Sequence, residues 1–117
     1  MAKTAITVNG SAPSNVFPAM ILGSAAAAEG NDVVLFFCPG GAPTMVKGEL
    51  EKIDVQGMPN IVELYDSILT LGGKVIVCEL CSSAKGIKPE DLREGVEVTG
   101  AGPFMSEISD ATITFSF

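Results

Sequence analysis

Two unbroken apolar runs constrain this chain more than anything else in it. They are Asp32–Phe37 (DVVLFF) and Lys74–Cys78 (KVIVC). A strand with one wet face alternates apolar and polar residues. A run without alternation belongs to a strand covered on both faces, the condition of central strands in a parallel α/β sheet. Strong breakers bound both runs: Gly30 before the first, Cys38-Pro39-Gly40-Gly41 after it, and Gly72-Gly73 before the second. Thr4–Val8 is a shorter β-branched run stopped by Asn9-Gly10, which predicts a first strand. Val96–Thr99 predicts a fourth. In Ala111–Phe117, Ile113, Phe115 and Phe117 alternate with Thr112, Thr114 and Ser116. That period of two predicts a half-covered fifth strand at a sheet edge or an interface.

Helical patterns fill the gaps. Ser14 or Asn15 can cap a helix with Pro18 in its first turn, running to about Glu29 with Gly30 as its stop. Pro59-Asn60 opens another, with Ile61, Leu64, Ile68 and Leu71 at helical spacing. Shorter helical pieces are predicted at Pro43–Leu50, Ser82–Lys85, Pro89–Leu92 and Phe104–Ile108, with a loop over 51–58. Five strands alternating with helices predict an α/β fold: one domain over 1–117, a mainly parallel sheet and helices on both faces.

Composition narrows the function. Histidine is absent, which removes Ser-His-Asp and Cys-His catalysis and every imidazole metal site. The 7 Lys+Arg against 14 Asp+Glu give a net charge of −7, against an electrostatic nucleic-acid binder or a polybasic membrane anchor. No apolar run reaches the roughly 18 residues of a membrane span. Val16–Ala28 could pass for the core of a signal peptide. Pro18 interrupts it, however, and a strand and Asn9-Gly10-Ser11 precede it, so a reducing cytoplasm is the expected compartment. Only 18% of residues are charged. A small subunit that cannot cover its surface with charge is expected to self-associate.

The three cysteines stand where parallel α/β domains build their sites, outside the carboxyl ends of the strands. Cys38 ends the second strand, Cys78 ends the third, and Cys81 follows three residues later. Cysteine also packs well as a small hydrophobe, an explanation that fits Cys78 best. Cys78-Glu79-Leu80-Cys81 is a C-x-x-C with three readings. A zinc site would enlist Cys38 and Glu79, and the lack of histidine and of a second C-x-x-C speaks against it. A thioredoxin-like dithiol normally follows an early strand. A sulfur carrier, whose thiolate takes up sulfane sulfur as a persulfide, is the remaining reading. Cys81 is the expected leading thiol, because a helix opening at Ser82-Ser83 offers free N–H groups and Lys85 adds positive charge. Two further candidates are Asn9-Gly10 and Gly40-Gly41, strand-end turns able to receive a small anion, though tight turns alone explain them. Tyr65 reads as packing. No cofactor motif is present.

At these residues the chain resembles the DsrE/DsrF-like family of small sulfur-relay proteins. The resemblance runs through Ala25–Phe37, Gly57–Val77 and above all Cys78–Ile87 (CELCSSAKGI), with Glu90-Asp91-Leu92 and Gly95-Val96 beyond. It implies a three-layer α/β/α fold, a five-stranded parallel sheet in the order 4-3-2-1-5, and homo- or hetero-oligomers, commonly trimers or hexamers. It carries the family's relay cysteine onto Cys78 or Cys81. Members with a single cysteine here often keep the position of Cys78. Cys38 is not a general family position, but the implied strand order sets it on the same rim. The expected function is an intracellular sulfur relay with donor and acceptor proteins as partners. The alternative is a non-catalytic oligomeric module binding a small anion or nucleotide.

Overall fold

A computed structural model describes residues 2–117, with Cys81 described by its backbone alone. The strands are β1 Lys3–Val8, β2 Asp32–Phe37, β3 Lys74–Cys78, β4 Val96–Thr99 and β5 Ile113–Ser116. The helices are α1 Pro13–Ala28, α2 Ile61–Thr70, α3 Glu79–Ala84 and α4 Ala101–Glu107. The sheet order is β4-β3-β2-β1-β5, and every pair is parallel. Fold class and strand order are therefore those expected.

The unbroken runs lie at the centre, and their alternate residues serve two separate cores. Val33, Leu35 and Phe37 of β2 join Val75 and Val77 of β3 and Ile6 and Val8 of β1 in the larger core. That core receives Val16, Phe17 and Met20 of α1 and Ile61, Tyr65 and Ile68 of α2. The opposite face carries a smaller core of Val34, Phe36, Ile76 and Cys78, closed by Phe104 of α4. The Phe104 ring stacks on Phe36, with centroids 3.9 Å apart and planes 14° from parallel. Asn60 caps α2, its Oδ1 accepting from the backbone N–H groups of Val62 and Glu63.

Several boundaries differ from the sequence reading. Neither Ser14 nor Asn15 caps α1. The helix starts at Pro13 with Ala12 as its cap residue. Proline's fixed φ and missing N–H suit that first position, and Pro18 falls inside the helix. The expected helix at Pro43–Leu50 is two 3-10 turns, Ala42–Met45 and Leu50–Lys52, the second reaching into the expected loop. α3 opens at Glu79 because no breaker separates it from Cys78 and an acidic residue suits a helix N-terminus. α4 begins at Ala101. β5 is an edge strand, as expected, but it is not half-covered: all four of its residues are exposed, Ile113 and Phe115 included, because among the described residues no helix packs over that edge. Among the described residues no helix is long and apolar enough to cross a membrane.

Candidate functional site at the carboxyl rim of the sheet

In a fully parallel sheet all strands end at one rim. The residues after β1 and β2 and the last residue of β3 therefore gather there. Phe37 pairs with Val77, so Cys38 and Cys78, each the next residue along, are neighbours across the β2–β3 ladder. Phe37 and Val77 face the larger core. By alternation the two cysteines face the other side, and both pack on its smaller core. Cys78 is buried, 7% exposed, in the same cluster as Phe104. Cys38 is half-buried, and both thiols are free. Burial, and second the nearby Cys78, push the Cys38 thiol above its ordinary pKa.

Cys78 leads into α3 without a loop, so the C-x-x-C bridges the end of a strand and the first turn of a helix. Ser82 Oγ donates to the Glu79 carbonyl at 3.0 Å and tightens that turn. The helix starts three residues earlier than expected, which sets Cys81 within the turn rather than ahead of it. The Cys81 side chain lies outside the described residues, and so does the expectation that it leads. Lys85 is exposed just past the last residue of α3, at the end away from the strand.

Asn9, Gly10, Gly40 and Gly41 do come together, where the β1 and β2 exits meet. Their polar groups serve one another. Gly40 N–H donates to Asn9 Oδ1 at 3.2 Å, and Ser11 Oγ donates to the Gly40 carbonyl. The Asn9 N–H donates to the Phe117 carbonyl at 2.7 Å. A Cβ on Gly40 would strike the Asn9 carbonyl, one on Gly41 the Val8 carbonyl, and one on Gly10 the Asn15 side chain. Close approach of two chain segments accounts for these glycines. Among the described residues no cluster of His, Cys, Asp or Glu is placed to hold a metal ion.

Two contributors escaped the sequence reading. Phe104 closes the cluster that holds Cys78 from far along the chain, and nothing local marks it for that place. Arg93 lies over the Tyr65 ring, 4.8 Å from its centroid, and grips Glu51 at 3.0 and 3.4 Å. Tyr65 itself is packing, as expected, with its hydroxyl on the Glu94 carbonyl. Burial pushes its pKa up to about 12.

Comparison with known proteins adds the following. A sequence profile of the DsrE/DsrF-like family matches residues 2–117. The uncharacterized protein MJ0760 of Methanocaldococcus jannaschii is 33% identical over 79 residues, 68% of this chain and 29% of that protein. The uncharacterized protein MJ0989 of the same organism is 34% identical over 89 residues, 74% of this chain and 75% of its own length. The uncharacterized protein MK0008 of Methanopyrus kandleri matches over 54% of its length, so this chain spans about a third to a half of two of these relatives. The crystal structure of the ychN protein from E. coli superposes with a TM-score of 0.82 at 21% identity, covering all of both chains. MTH1491 of Methanobacterium thermoautotrophicum, a protein of unknown function, follows at 0.78 and 13%, again over both chains in full.

Proposed function

Because the chain belongs to the DsrE/DsrF-like family, we propose that it is a sulfur-relay protein carrying sulfane sulfur as a persulfide on the Cys78–Cys81 pair. The observation that carries this reading is the position of the pair, at the junction of β3 and α3 on the carboxyl rim. A thiolate of the pair attacks the outer sulfur of a donor persulfide or polysulfide. A new S–S bond forms, the donor's own S–S bond breaks, and the donor leaves as a thiolate. Cys81 is the thiol we expect to meet the donor, since Cys78 is buried in the small core. Cys78, three residues back in the sequence, then takes the sulfur from it. A cytoplasmic setting keeps such thiols reduced. Anion binding at Asn9-Gly10 and Gly40-Gly41 is the competing class of function, and the mutual hydrogen bonds of those loops favour the relay.

The apolar edge at Ile113 and Phe115 supports assembly into a homo-oligomer, a trimer or hexamer by the family's habit. Mass spectrometry after incubation with inorganic polysulfide tests the relay. The expected product is an adduct of about +32 Da, one added sulfur, that disappears from the Cys78→Ser, Cys81→Ser double variant. No adduct, or an adduct indifferent to that double change, overturns the reading.

A further inference from the structure

The pairing of β2 with β3 gives Cys38 a role that the C-x-x-C motif does not suggest. We propose that Cys38 is the discharging thiol of this site: it closes a cross-strand disulfide with Cys78 and expels sulfur carried there as hydrosulfide. The proposal rests on the sulfur-relay reading and extends it to the release step.

The geometry is that of neighbours across the ladder. Phe37 pairs with Val77 at the end of the ladder, and Cys38 and Cys78 are each the next residue along. Adjacent strands lie about 4.8 Å apart, within the roughly 4.4–6.8 Å between Cα atoms that a disulfide spans. Both side chains leave the same face of the sheet and pack on the same small cluster. Their Cβ bonds thus point together, the second requirement for a bridge.

Burial supplies the reason for an internal partner. Cys78 is 7% exposed, buried in the small cluster that Phe104 closes. An external thiol has no open path to the inner sulfur of a persulfide held there. Cys38 already lies beside it, and fixed proximity replaces a bimolecular encounter. Cys38 is itself half-buried rather than sealed, so the finished disulfide has one accessible sulfur through which it can be reduced.

The step balances. The Cys38 sulfur attacks the inner sulfur of the Cys78 persulfide anion. The bond between Cys38 Sγ and Cys78 Sγ forms, and the bond from Cys78 Sγ to the outer sulfur breaks. The outer sulfur leaves with the electron pair and takes up the Cys38 proton as hydrosulfide. Two cysteine sulfurs are thereby oxidised to a disulfide and one sulfane sulfur is reduced to sulfide. An external dithiol, of the class that reduces protein disulfides, then restores both thiols and is itself oxidised.

The sequence makes the product easy to identify. Trypsin cleavage after Lys3 and Lys47 leaves Cys38 in one peptide, and cleavage after Lys74 and Lys85 leaves Cys78 and Cys81 together in another. A glutamate-specific protease then cuts after Glu79, between Cys78 and Cys81. The experiment loads the full-length protein with inorganic polysulfide and removes the excess. It then follows sulfide release and maps the disulfide at intervals without reductant. The expected result is one hydrosulfide released per Cys38–Cys78 link, at a rate independent of protein concentration. Cys38→Ser and Cys38→Ala should both retain the adduct and release sulfide about tenfold more slowly or worse. Mapping the wild-type protein needs no variant to fold. If the adduct forms but the link joins Cys78 to Cys81, or if both Cys38 variants release at the wild-type rate, Cys38 is not the discharging thiol and the relay reading stands. If no protein, wild type or variant, takes up sulfur, the relay reading fails and this inference with it.

Discussion

Replacing Phe104 by alanine tests the small core and the seclusion of Cys78 in one experiment. Phe104 is 5% exposed and is the only residue of a helix among the five buried members of its cluster. A buried Phe→Ala change costs about 3–5 kcal/mol. The lost stacking on Phe36, worth roughly 0.5–1.5 kcal/mol, is part of that sum. Exposed residues flank Phe104 on both sides along α4, so solvent can partly fill the gap, and about 3 kcal/mol is the expected loss. A chain of this length has about 6–15 kcal/mol in hand, so the variant stays folded. Urea denaturation of wild type and variant reads the loss as a lower midpoint at constant slope. The second readout is chemical. In a Cys38→Ser, Cys81→Ser background only Cys78 alkylates, and its native rate reports opening of the cluster. If opening of α4 carries the whole 3 kcal/mol, iodoacetamide should react about 100-fold faster, since each 1.4 kcal/mol is tenfold. A stability loss under about 1 kcal/mol would show that α4 does not close this face. A normal loss with an unchanged alkylation rate would show that Phe104 packs without shielding Cys78.

Two further outcomes follow from the same contacts. Arg93→Met should cost about 1–2 kcal/mol, because it removes the contact over Tyr65 and the two hydrogen bonds to Glu51. Those bonds hold the Glu51 carboxyl below its ordinary pKa. The stabilisation they give is complete above the ordinary glutamate value of about 4.3 and is lost as pH falls through the lowered one. Denaturation series from pH 6 to 3 should therefore fall less steeply in the variant, and parallel curves would contradict the pairing. Phe115→Lys places a charge on the exposed apolar edge of β5. Light scattering should show a smaller assembly than wild type, and a wild-type chain running near 12.1 kDa at micromolar concentration would rule out self-association.

The legibility of the fold varies along the chain for physical reasons. VVLFF and VIVC reveal central strands because coverage on both faces disfavours polar residues beyond the exposed first positions, Asp32 and Lys74. The alternation in Ile113–Phe117 reveals an edge, but not that both faces of β5 are exposed in the single chain. Asn60 is a readable cap because its side chain satisfies local N–H groups. The start of α1 misled because Ser14 and Asn15 are good cap residues, whereas Pro13 claimed the first helical position. The short elements after β2 and β3 were harder still, since tertiary contacts decide whether a few residues form an α or a 3-10 turn.

What the sequence determined by itself is the material of the site: three thiols at strand ends, a C-x-x-C, and no histidine to make another chemistry of them. Their position along the strands is local information, carried by where each apolar run stops. Which strands are neighbours is not local. Strand order depends on how helices of given length cross the sheet, and here the family resemblance supplied the order that the structure bears out. Only the tertiary structure paired Phe37 with Val77 and so set Cys38 and Cys78 side by side, turned both to the smaller core, and brought Phe104 to that core from the fourth helix. Register and burial arise from packing between segments far apart in the chain, and no residue's own neighbours encode them.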